Sequence, residues 1–156
     1  MTSIIFKTEG FSELETKLSE MSKGFRTDTV LRNTVVKAIK KSLVTVEDDM
    51  RSSAPYDEKS DGPIHLRDTI RTDARIPWET DYKSSMVNQT DVAIGLVSAK
   101  KSAVSLSQEF GNASTPAHPF IRNALTRNYE KVIDTFRTEL GAIVVDYAAK
   151  LSRRKK

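Results

Sequence analysis

Hydrophobic positions along this chain follow two periods, and the alternation between them predicts the order of elements. Ile4, Ile5 and Phe6 lie in a weakly alternating stretch, Ser3 to Thr8, which predicts an opening strand. Gly10 follows it. Phe11, Leu14, Leu18 and Met21 then recur at spacings of three and four, the signature of a short amphipathic helix, with Gly24 as its stop. A second helix is predicted from a Thr27 or Asp28 cap to about Ser52. Its buried face is Leu31, Val35, Ala38, Ile39, Ser42, Val46 and Met50, and the Ala54-Pro55 step ends it, because the residue before a proline is biased away from helical backbone.

Tyr56 to His65 is polar and contains Gly62-Pro63, so it reads as a loop. From Leu66 to Ile76 the spacing fits either a helix or a strand. The β-branched Thr69, Ile70, Thr72 and Ile76 favour a strand, preceded at most by one helical turn. Gln89 to Ser98 alternates through Val92, Ile94 and Leu96, and the polar residues between these two runs suggest an antiparallel pair. A further short apolar run, Val104 and Leu106, reads as a strand ending at Glu109 and Phe110. Gly111 and Asn112 turn the chain, and Pro116 and Pro119 hold Ala117 and His118 on an extended lip, with Phe120 displayed at the start of the last helix.

That helix is predicted from about Pro119 to Leu151, with Ile121, Leu125, Tyr129, Val132, Phe136, Leu140, Ile143, Tyr147 and Leu151 as its stripe. At ~1.5 Å per residue it reaches roughly 50 Å, whereas a compact chain of this size is only about 40 Å across. It must overhang its domain or kink near Gly141, and the overhanging end (Ile143, Tyr147, Leu151) is a candidate subunit contact. The fold class that follows is α+β: a small antiparallel sheet of three to five strands packed with a long helix from each half of the chain. One domain, residues 1–152, is expected, followed by a basic tail, 153–156.

Composition removes several chemistries. The 156 residues contain no cysteine, so thiol catalysis, disulfides and thiolate metal sites are out. The two histidines, His65 and His118, are far apart, and neither has a partner at a catalytic or metal-binding spacing. There is no Gly-x-Ser-x-Gly elbow and no phosphate-binding glycine loop. Asp48-Asp49 and Asp57-Glu58 are acidic pairs on which a small hydrolase or nuclease could be imagined, but solvated carboxylates explain them. No cofactor, no metal and no reaction are expected, and no apolar run is long enough to cross a membrane.

The net charge is +4, with 13 basic and 13 acidic residues in positions 1–78 and 12 against 8 in positions 79–156. Arg153, Arg154, Lys155 and Lys156 alone equal the excess. Arg67, Arg71 and Arg75 recur every four residues. They and the basic end are the candidate contacts to DNA or an acidic partner, and a nucleic-acid-binding accessory protein is the alternative function they allow.

Glu109-Phe110-Gly111, a short spacer, Pro116-Ala117-His118-Pro119-Phe120 and then Arg122 resemble the signature of the minor tail component family of long-tailed bacteriophages, the tail-completion or neck proteins related to the lambda Z component. Upstream, Ala54-Pro55, an acidic turn containing Gly62, and Leu66-Arg67-Asp68-Thr69-Ile70 are similar to that family's Pro-x-Asp-Thr-Gly-x-Leu-Arg-x-Ser-Ile. The resemblance implies a structural virion protein, made in the host cytoplasm and placed at the head-proximal end of a tail or in the neck. It implies a ring of copies, sixfold in expectation, between a tail terminator or tail tube protein and a head-completion connector, with genomic DNA passing through the channel. On this view Glu109, Phe110, Gly111, Pro116, His118, Pro119, Phe120 and Arg122 form the subunit interface, with Phe120 either an anchor in a pocket of the neighbouring subunit or a residue of the chain's own core.

Overall fold

A computed structural model describes residues 11–56 and 64–154, in which four helices accompany a two-stranded antiparallel sheet. The opening strand expected at Ser3 to Thr8, the Asp57-Glu58 pair and the last two lysines lie outside the described residues. Helix α1, Phe11–Thr27, passes through Gly24 instead of stopping there. Gly24 is needed for another reason: a Cβ at that position would lie 2.1 Å from the Tyr147 hydroxyl, so the glycine permits a close helix crossing.

Asp28 separates α1 from α2, Thr29–Ser53, and its carboxylate accepts from the Val30 and Leu31 amides at 2.9 and 3.1 Å. Those amides have no partner inside the helix, which is why an aspartate fits there. Along α2 the residues Leu31, Val35, Ala38, Ser42, Val46 and Met50 are buried, as the periodicity predicts, and Ile39 is half-buried. A 3₁₀ turn, Leu66–Thr69, leads into β1, Arg71–Arg75, so the ambiguous segment holds both a helical turn and a strand. Strand β2 is shorter than the alternation suggested, Ile94–Ser98, because Asp91 instead folds a polar turn by accepting from the Asn88 amide at 2.8 Å. The two strands pair with Thr72 opposite Val97 and Ala74 opposite Gly95.

The run at Val104 and Leu106 is a correction. It forms helix α3, Ala103–Phe110, not a strand. Ser102 and Ser105 cap one another's backbone amides at 3.0 and 2.8 Å, and the residues turned inward are Ser105 and Glu109, while Val104 and Leu106 are exposed. Reciprocal capping decided the local structure over an alternating pattern only four residues long. Helix α4, Phe120–Arg154, is 35 residues long, runs uninterrupted through Gly141, and continues past the expected start of a separate tail at Arg153.

Helix α2 is the centre of the molecule. Arg127 meets Asp49 and Lys41 meets Glu139, so α4 lies antiparallel along it. Such pairs between partly exposed groups contribute little to stability because solvent screens them; their use is to fix register. Asp49 turns toward α4, Ile39 and Leu43 lie under Gly95 of β2, and Arg51 donates to the Ile70 carbonyl at the entry to β1 at 2.6 Å. At about 100° per residue around α2, these positions place β2 between α4 and β1. The core is Val46, Met50, Ala54, Ile70, Phe120 and Ala124, flanked by Leu66, Val97, Ala99, Ile121 and Val132.

Candidate functional site

The segment from Gln108 to Arg122 is built around one buried carboxylate. Gly111 ends α3 at φ 74°, a conformation that side chains resist. A Cβ there would also lie 2.9 Å from the Ala117 amide nitrogen. Asn112 and Thr115 then exchange backbone hydrogen bonds across a tight turn, and the His118 amide donates to the Gln108 carbonyl at 2.7 Å, drawing the strand-like lip back against α3. Pro116, Ala117 and His118 are exposed along it.

Glu109 is 3% exposed, and its carboxylate accepts from the Ile121 and Arg122 amides at 2.9 and 3.2 Å. The Arg122 guanidinium completes the arrangement, donating to the same carboxylate at 3.0 Å and to the Glu109 carbonyl at 3.0 Å. Neither Pro119 nor His118 supplies a side-chain cap to α4. Glu109 takes that part from across the loop, and its negative charge also suits the positive end of the helix dipole. Arg122 extends over the Phe110 ring, 5.4 Å from its centroid.

Phe120 is 2% exposed and packs into the chain's own core, the second of its two readings, and is not displayed as an anchor. Glu109, too, is enclosed. What the lip region does expose is Phe110 (65%), and on α4 Leu125 (52%), Tyr129 (51%) and Ile133 (48%). Leu125 and Tyr129 were expected in the core, but Ala124 and Asn128 face inward in their place, where Asn128 donates to Asp49 at 2.6 Å. Sequence reasoning missed this surface because α4 carries apolar residues on two flanks, and spacing does not say which one faces α2.

The far end of α4 is not a free overhang. Ile143, Tyr147 and Leu151 are half-buried and line a cleft with Leu31 and Thr34 of α2, and Tyr147 stands against Gly24 and Phe25, with ring centroids 6.3 Å apart. The arginines 67, 71 and 75 do not act as one ladder. Arg67 lies 3.7 Å over the Tyr56 ring, Arg75 is bound to Asp81 and lies 4.0 Å over Trp78, and Arg71 is exposed on β1. The Arg75 guanidinium, with the Trp78 amide, holds the Asp81 carboxyl down to about 2. Asp49 is likewise lowered, first by its hydrogen bond from Arg127. Arg153 and Arg154 are the last residues of α4, and no helix among the described residues is long and apolar enough to cross a membrane.

No protein-family model, curated protein or solved structure matches the chain. The geometry therefore stands alone beside the sequence resemblance. It shows a carboxylate used for structure and an apolar surface facing out.

Proposed function

We propose that this chain is a structural component of a phage particle, at the head-proximal end of a long tail or in the neck, where copies assemble into a ring by surface complementarity. One observation carries this reading. The two separated segments that resemble the tail-completion family meet in a single packing unit: Ala54, Leu66 and Ile70 from the first touch the cluster that holds Phe120 and Ile121 from the second. Residues 50 positions apart that share a signature and a core behave as one fold signature, not as two chance matches.

The exposed Phe110, Leu125, Tyr129 and Ile133 supply the kind of surface a ring neighbour buries, with aromatic side chains and Arg122 among the residue types that carry interface energy. The sixfold ring, the tail tube or terminator on one side, the head connector on the other and DNA in the channel belong to the same proposal, as does a sheet of three to five strands. No reaction is assigned to the chain. Arg67 and Arg75 are engaged within the chain, which weighs against the alternative of an arginine ladder on DNA.

The test is complementation of a phage lacking its tail-completion protein, followed by imaging of the neck at side-chain resolution. A ring of this chain between tail and head supports the proposal. Particles completed without it, or a monomer bound elsewhere, overturn it.

A further inference from the structure

Two stretches of the chain carry basic residues and no acid. Positions 29–46 of α2 hold Arg32, Lys37, Lys40 and Lys41, and positions 147–156 hold Lys150, Arg153, Arg154, Lys155 and Lys156. The rest of the chain has 16 basic and 21 acidic residues, so the positive excess belongs entirely to these two stretches. They are far apart in sequence, and the fold makes them neighbours.

Val30 and Thr34 of α2 line one cleft with Asp146, Lys150 and Arg153 of α4. Val30, Thr34, Lys37 and Lys41 follow one another at spacings of four, three and four, which keeps them on one face of α2, and all four are exposed. Lys37 therefore continues that wall beyond the cleft, with the exposed Lys40 beside it three residues on. Of the acids nearby, Asp28 accepts from the Val30 and Leu31 amides and Glu139 holds Lys41, which leaves Asp146. Lys37, Lys40, Lys150 and Arg153 have no ion-pair partner among the described residues.

The kind of partner follows from the residue types. Lysine is depleted at protein interfaces, where aromatic rings carry much of the contact, and this face exposes lysines beside Asn33 and Thr34 with no exposed aromatic ring. Single strands are also poorly served, because their bases need rings to stack on. Ammonium groups with small polar side chains between them suit phosphate oxygens. From Val30 to Lys41 the face is about 16 Å long at ~1.5 Å per residue, room for roughly five phosphates of one duplex strand at ~3.4 Å each.

We infer that this face, Lys37 and Lys40 of α2 with Lys150 and Arg153 of α4, binds the phosphate backbone of duplex DNA without reading its sequence. The inference rests on charge placement and stands without the virion assignment; within that assignment it names the face turned toward the channel.

Fluorescence anisotropy of a labelled duplex of arbitrary sequence, titrated with the full chain at several salt concentrations, tests it. Contacts from these four cations give a log affinity that falls with log salt at a slope of about −3 to −4. Lys37→Glu with Lys40→Glu should flatten the slope by about 2 and weaken binding at least about tenfold, and Lys150→Glu with Arg153→Glu should do the same from the other helix. Lys83→Glu with Lys101→Glu makes the same charge change at exposed lysines elsewhere and should leave the slope within about 1 of the parent. No binding by the parent chain, or an equal loss in the Lys83, Lys101 pair, overturns the inference. So does tighter binding of a single strand of the same length, and tighter binding of polyglutamate than of the duplex would assign the face to an acidic protein instead. Because the assay needs only the chain and DNA, its failure leaves the complementation test of the virion reading untouched.

Discussion

The Glu109 carboxylate and the Arg122 guanidinium lie 3.0 Å apart across the lip, and the same carboxylate holds the first free amides of α4. One side chain thus joins the end of α3 to the start of the longest helix. Removing it leaves buried donors without a partner. Glu109→Ala should destabilise the fold by about 1–3 kcal/mol, and Glu109→Gln by less, since one acceptor oxygen survives. Chemical denaturation of the purified variants measures this. A loss too small to detect in Glu109→Ala would mean that α4 is held by Phe120 alone.

Phe120 and Phe110 should separate folding from assembly. Phe120→Ala empties a fully packed site and is expected to cost about 3–5 kcal/mol. Phe110→Ser, at an exposed ring, should stay within about 0.5 kcal/mol of the parent while reducing self-association or incorporation into particles. Denaturation and sedimentation on the two variants decide it. Normal assembly by a folded Phe110→Ser, Tyr129→Ser double variant would remove this surface from the interface.

Acid should weaken the molecule through Asp81 and Asp49. Both carboxyls are held below their unfolded values by arginine, so each contributes stability above pH ~4. That contribution is lost as pH falls through the folded value, which for Asp81 means between roughly pH 4 and about 2. Exposure and salt keep the effect small. Carboxyl-carbon NMR titration should place Asp81 well below ordinary aspartates, and Arg75→Gln should return it to the ordinary range. An unshifted Asp81 in the parent would mean that the Arg75 pair does not persist in solution.

Gly95 should resist substitution although it lies in a strand, where glycine is normally unfavourable. A Cβ there would stand 2.4 Å from Ile39 Cγ2 and 2.7 Å from Leu43 Cδ1. Gly95→Ala is therefore expected to cost about 1–3 kcal/mol by overpacking, and Ile39→Leu in the same chain, which removes the Cγ2 methyl, should recover part of it. A stabilised Gly95→Ala would show that β2 does not press on α2 this closely.

What the sequence determined by itself was whatever depends on neighbours along the chain. Asp28 beside unsatisfied amides marks the start of α2, the spacing from Leu31 to Met50 marks its buried face, and Pro55 marks its end, because capping and helical periodicity are local. The antiparallel pairing of β1 with β2 was legible for the same reason. Tertiary structure decided the rest. Gly24 looked like a stop until Tyr147 crossed it, Leu125 and Tyr129 looked buried until α2 chose the other flank of α4, and Phe120 looked displayed until Ile70 and Met50 closed around it. Each of those outcomes depends on a residue dozens of positions away, where packing and not spacing selects among faces that the local pattern leaves equivalent.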